Sequence, residues 1–124
     1  MYLRRFYFII LVYVNLKMEY DTKDKTFWKR KGNDMKVLLG AVNAKYIHSN
    51  LAVYCLKAYA EKYGDTSDEI SIGEYTINQQ LDEILRDIYK RKPDMLCLSC
   101  YIWNLTYVEE ICREIKKVMP QIII

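Results

Sequence analysis

At 124 residues, with 19 Lys/Arg against 16 Asp/Glu, the chain has room for one domain at most. Its positive excess sits in residues 1–34, which hold eight Lys/Arg against four Asp/Glu, while residues 35–124 hold eleven against twelve. The nearly neutral remainder gives no ground for a nucleic-acid surface. The four cysteines (Cys55, Cys97, Cys100, Cys112) lie in or beside apolar periodic segments and not in a loop framework, which predicts free thiols in a reducing cytoplasm.

Residues 1–34 read as a poorly ordered leader upstream of the natural start. Phe6 to Val14 is a nine-residue apolar run behind Arg4 and Arg5, similar to the basic and hydrophobic regions of a signal peptide, but no small-residue cleavage site follows. It is also too short for a bilayer, which needs about 20 apolar residues, so no membrane association is expected. Asp21 to Asp34 is charged, with Phe27 and Trp28 as its large anchors. Met35 opens a new pattern, and residues 35–124 read as the α/β domain.

Lys36 to Val42 is an unbroken apolar run, the mark of a strand covered on both faces in a parallel sheet. The loop Asn43 to Asn50 follows, in which Ser49 or Asn50 can cap a helix over about Leu51 to Tyr63. Ala52, Leu56, Tyr59, Ala60 and Tyr63 mark that helix's apolar face, and Gly64 is its expected stop. Ile70 to Tyr75 alternates, which predicts one wet face and an edge position. Thr76 and Asn78 offer caps for a second helix carrying Leu81, Ile84, Leu85 and Ile88, which Pro93 stops, with Lys90, Arg91 and Lys92 as a solvated end favoured by the helix dipole.

The run Met95 to Ser99 is again apolar or small without alternation and predicts a second interior strand. Past the turn Cys100 to Asn104, the positions Leu105, Val108, Ile111, Cys112, Ile115, Val118 and Met119 recur at helical steps. Thr106 and Glu109 have capping-box spacing for a helix that starts a turn late. Pro120 ends the helix, and Gln121 to Ile124 begins a fourth strand. An apolar strand there needs a covering neighbour, so the expectation is a fragment of a longer domain, cut at the fourth strand.

Strand and helix in strict alternation predict an α/β fold with a doubly wound parallel sheet. With the alternating strand at the edge and right-handed crossovers, the strand order is 2-1-3-4. The switch point, where open sheets of this kind bind ligands, then lies between the first and third strands. The loops 43–50 and 100–104 form its walls. Cys97 and Cys100 form a CxxC, but residues i and i+3 of a strand point to opposite faces, and no second CxxC or second histidine completes a metal site. Gly40, Gly64 and Gly73 make no phosphate-binding loop.

At the two loops, Asn43-Ala44-Lys45-Tyr46-Ile47-His48-Ser49-Asn50-Leu51-Ala52 and Ser99-Cys100-Tyr101-Ile102-Trp103-Asn104, residues 35–124 resemble the amino-terminal cobalamin-binding domain of radical S-adenosylmethionine (SAM) proteins. The resemblance implies a flavodoxin-like domain that binds cobalamin. It also implies a C-terminal radical SAM domain whose barrel holds S-adenosylmethionine and a 4Fe-4S cluster, neither bound by this chain, with methyl transfer as the reaction class. The wider fold carries an Asp-x-His-x-x-Gly loop, on which His48 falls at the cobalt-ligating histidine, while Tyr46 stands at the Asp and Leu51 at the Gly. Ser99 matches a serine lining the slot for the cofactor's nucleotide tail, with Trp103 where a threonine would stand. The cofactor-binding residues so implied are Asn43, Lys45, Tyr46, His48, Ser49, Ser99, Tyr101, Trp103 and Asn104, with His48 as the metal ligand. A cap or hydrogen-bonding role is the competing reading of His48, and covering the sheet's end that of Tyr46, Tyr101 and Trp103. For the whole domain the alternative is a flavodoxin-like regulatory or interaction module that has lost the cofactor.

Overall fold

The computed structural model describes residues 35–45, 49–63 and 68–124. In chain order these form β1 (Lys36–Asn43), α1 (Leu51–Tyr63), β2 (Glu69–Thr76), α2 (Leu81–Arg91), β3 (Met95–Ser99) and α3 (Leu105–Val118). The three strands make one parallel sheet in the order β2-β1-β3, with Lys36 paired to Glu69 and Asn43 to Thr76 on one side of β1 and Ala41 paired to Ser99 on the other. Beyond β3, Ile123 forms a single parallel bridge with Met95; Leu96 N donates to Ile123 O and Ile123 N to Asp94 O. The fourth segment therefore lies outside β3, as the order 2-1-3-4 requires, and the fold is the expected flavodoxin-like α/β arrangement. Among the described residues no helix is long and apolar enough to cross a membrane.

Alternation along the strands divides the core into two faces. Leu38, Val42, Tyr75 and Leu96 join Ile84 and Ile88 of α2, Val108, Ile111 and Ile115 of α3, and Ile122 in one buried cluster. Val37, Leu39 and Ala41 project the other way and are buried as well, on the side where α1 contributes Val53. Two helices thus cover one face and α1 the other, which is how right-handed crossovers place them around a central β1. Gly40 leaves room for the Leu98 side chain: a Cβ there would meet Leu98 Cδ2 at 2.6 Å.

β2 is bound to α2 by a polar clasp. Tyr75 Oη donates to Asp87 Oδ2 at 2.8 Å, Arg91 Nε donates to the same oxygen at 2.9 Å, and Arg91 Nη1 reaches Ile72 O at 3.2 Å. Burial, with the Asp87 hydrogen bond second, raises the pKa of the Tyr75 phenol, which stays protonated as the donor. α2 then closes with Lys92 in a left-handed conformation (φ 47°) whose N–H returns to Ile88 O at 3.2 Å, directly before Pro93.

Several local expectations are corrected. On α1, Tyr59 and Tyr63 are exposed and touch each other at a tilt of 45° with centroids 4.7 Å apart, because the stripe through Val53, Leu56 and Ala60 is the one that meets the sheet. Neither Thr76 nor Asn78 caps α2: the cap position is Gln80, without a side-chain bond, and Thr76 Oγ1 is buried with no partner among the described residues. The capping box of α3 does not form, since the helix starts at Leu105 behind Asn104 and puts Thr106 inside its first turn. β3 is covered on both faces only at Met95 and Leu96. Cys97, Leu98 and Ser99 are half-exposed, because the Ile123 bridge flanks only the strand's first residue. Gly64 lies outside the described residues.

Gly73 sits under the Tyr75 ring, where a Cβ would meet Oη at 2.5 Å and Cζ at 2.9 Å. Gly73→Ala must displace a phenol already anchored on Asp87, and it is expected to lower stability by about 1–2 kcal/mol. In a Tyr75→Leu background the same substitution should cost close to nothing, a coupling that a double-mutant cycle in urea measures.

Candidate functional site

The carboxyl ends of β1 and β3 are joined by Asn104, which is 1% exposed. Its Oδ1 accepts from Tyr101 N at 2.7 Å, so its Nδ2 necessarily points the other way and donates to Val42 O at 3.1 Å and Ser99 O at 3.3 Å. Asn104 N closes the same turn on Tyr101 O at 3.1 Å. With Oδ1 committed to Tyr101, none is left for the first amides of α3, which is why that helix has no side-chain cap.

A second asparagine works from the opposite face. Asn50 is 8% exposed and precedes α1, where its Oδ1 accepts from Ala52 N at 3.0 Å and its carbonyl from Val53 N at 3.2 Å. Its Nδ2 donates to Ser99 Oγ at 2.9 Å and, over 3.4 Å, to Tyr101 Oη. Glu74 of β2 holds Asn50 in place: Oε1 accepts from Asn50 N at 3.1 Å and Oε2 from Tyr54 Oη at 2.8 Å. That bond, more than burial, raises the pKa of the Tyr54 phenol. A continuous polar line thus crosses the sheet's end from β2 through the α1 cap to β3.

Above this line stands an aromatic rim. Tyr101 and Trp103 stack with centroids 5.5 Å apart at an interplanar angle of 9°, Tyr101 being 44% and Trp103 51% exposed, and Ile102 between them is fully exposed. Below it, on the α1 side of β3, the half-exposed Ser99 and Cys97 leave a stretch of sheet only partly covered. The arrangement can accept a large apolar ring system against the rim while offering hydroxyl donors beneath.

Of the residues singled out in the sequence, Ser99, Tyr101, Trp103 and Asn104 are brought together. Asn43 ends β1 half-buried, its carbonyl accepting from Ile77 N at 3.0 Å, away from Ser99 on the β2 side. Lys45 and Ser49 are exposed. Tyr46 and His48 lie outside the described residues. Asn50 and Glu74 are the members that sequence reasoning missed. Asn50 was recognisable as a cap, and a capping asparagine keeps an amide free for a second partner. Nothing local marks Glu74, whose role depends on β2 lying beside the start of α1.

Cys97 lies in β3 and Cys100 just beyond it, all four cysteines are free, and no cluster of three or more His, Cys, Asp or Glu that could hold a metal ion occurs among the described residues. Burial pushes the Cys97 thiol up to about 11, which leaves it un-ionised at neutral pH.

Residues 35–124 match the family model described as B12 binding domain. No curated protein matches the chain.

Replacing Asn104 tests the joint. Asn104→Ala removes three bonds of about 1 kcal/mol each and leaves one buried and two part-buried partners unpaired, so a loss of roughly 3 kcal/mol is expected in urea unfolding. Asn104→Asp, which can accept but not donate, faces two carbonyl oxygens with a carboxylate and should lose at least as much; an aspartate variant as stable as wild type would remove the joint from the fold.

Proposed function

The chain belongs to the B12-binding domain family, and on that premise we propose that residues 35–124 are the cobalamin-binding module of a radical SAM enzyme. In this reading the corrin lies over the carboxyl edge of β1 and β3 against Tyr101 and Trp103, and the nucleotide tail enters beside Ser99. The observation that carries it is the half-exposed Ser99 hydroxyl under an exposed aromatic stack at the sheet's switch point. The chemistry of the donor set fits: flat aromatic faces supply apolar contact at low entropic cost, and the hydroxyls supply hydrogen bonds to a polar tail. In this reading Asn43, Lys45, Tyr46, His48 and Ser49 supply the second wall, on the strength of the sequence block 43–52.

The two sequence blocks, 43–52 and 99–104, support the radical SAM parentage. Cobalamin supplies a cobalt centre able to carry a methyl group, and this chain's residues bind and orient it without catalysing a reaction themselves. S-adenosylmethionine and the 4Fe-4S cluster belong to the barrel of the companion domain. The free thiols fit a reducing cytoplasm, and the nearly neutral domain leaves nucleic acid out of its partners.

The test is retention. The 124-residue chain, incubated with hydroxocobalamin under reducing anaerobic conditions and desalted, should keep the cobalamin absorbance in about equimolar amount, as expected of a site with one tail slot. A colourless protein would favour the flavodoxin-like regulatory module. For His48, Tyr46 occupies the place of the acidic group that orients a ligating imidazole. His48→Ala should therefore leave the cobalt spectrum unchanged, and a shifted spectrum would make His48 the lower ligand. A coding sequence continuing past Ile124 into a three-cysteine radical loop would support the parentage; continuation into another kind of domain would remove it.

A further inference from the structure

Asn50 does more than cap a helix. The backbone amide of Ala52 can only donate, so the Asn50 atom facing it at 3.0 Å is the oxygen, and the atom facing Ser99 at 2.9 Å is the Nδ2 amide, which can only donate. The Ser99 oxygen is therefore an acceptor on the Asn50 side, and its single proton is left for another partner. The longer 3.4 Å contact from the other Nδ2 proton does the same to Tyr101 Oη. No acceptor for either hydroxyl proton occurs among the described hydrogen bonds. Asn50 itself cannot turn over, because doing so would break the α1 cap, and Glu74 holds its backbone amide.

From this geometry we propose that Asn50 is a positioning residue that commits Ser99, with Tyr101 beside it, to donate hydrogen bonds, so that the slot selects a ligand group that accepts them. The proposal rests on the cobalamin-binding reading and adds the polarity of the slot. The matching groups on the cofactor's tail are the phosphodiester oxygens and the unprotonated ring nitrogen of its base. An analogue that lacks the tail has neither.

Asn50→Asp isolates the effect. The carboxylate keeps the cap, since it still accepts from Ala52 N, but toward Ser99 it offers only lone pairs; the serine proton turns to it and the slot faces the ligand with acceptors alone. Titrations of the 124-residue chain with hydroxocobalamin, cobinamide phosphate and tail-less cobinamide read the outcome. Asn50→Asp should weaken hydroxocobalamin about tenfold, the worth of one good hydrogen bond, and leave cobinamide within about twofold of wild type on the same scale. A loss shared by cobinamide phosphate assigns the accepting group to the phosphate, and a loss confined to hydroxocobalamin assigns it to the base. Asn50→Ser, which carries no charge, can still cap and lacks the amide donors, should show the same selectivity with a loss of about threefold. It separates a reversed serine from simple charge repulsion and serves alone if the aspartate variant does not fold. Wild type binding all three ligands, with both variants weakening them equally or not at all, overturns the proposal and leaves the cobalamin reading standing. A wild type that binds no corrinoid overturns the reading, and this inference with it.

Discussion

The site depends on a single buried carboxamide. Asn104 is the point at which β1, β3 and the turn into α3 meet, since one side chain bonds Val42 O, Ser99 O and Tyr101 N. Past the last ladder bonds these three groups need partners, and a peptide group left unpaired where it is buried or half-buried is costly. Meeting all three demands fixes where the turn leaves β3, and with it the orientation of the Tyr101 and Trp103 rings. The aromatic rim is thus set by hydrogen bonding beneath it more than by packing around it.

Asn50 completes the frame from the other face. One asparagine ties strands together and the other ties a helix start to a strand end, and both use the same property of the amide: opposite hydrogen-bonding characters on two atoms about two ångströms apart. Such residues impose direction as well as position. A hydrophobic contact could bring Ser99 near α1, but it could not decide which way the serine's proton points.

The course of the chain was readable in the sequence because the strands are of two distinguishable kinds. Lys36 to Val42 carries an unbroken apolar run and became the middle strand, whereas Ile70 to Tyr75 alternates and became an edge. Met95 to Ser99, read as interior, is flanked on its outer side only by the Ile123 bridge at Met95. Less could be read where a residue type has two habits. Tyrosine counts as apolar in a periodicity argument, yet Tyr59 and Tyr63 turn outward. Thr76 is a good cap by composition, but at the end of β2 its hydroxyl is enclosed and α2 begins later. The rim residues Ser99, Tyr101, Trp103 and Asn104 fall within six positions and could be found by resemblance. Asn50 and Glu74 lie 24 residues apart and meet only once β2 has paired with β1.

The clasp of Glu74 on both the Asn50 amide and the Tyr54 phenol has a consequence for how this edge of the molecule can vary. The start of α1 is moored to the outer strand, and the end of β1 is separately secured through Asn43 O and Ile77 N. Asn43 and Asn50 are thus anchored independently of each other. Closing a loop costs little more when a few residues are added, so a change of length between Asn43 and Asn50 leaves both anchorages, and with them the donor geometry at Ser99, in place.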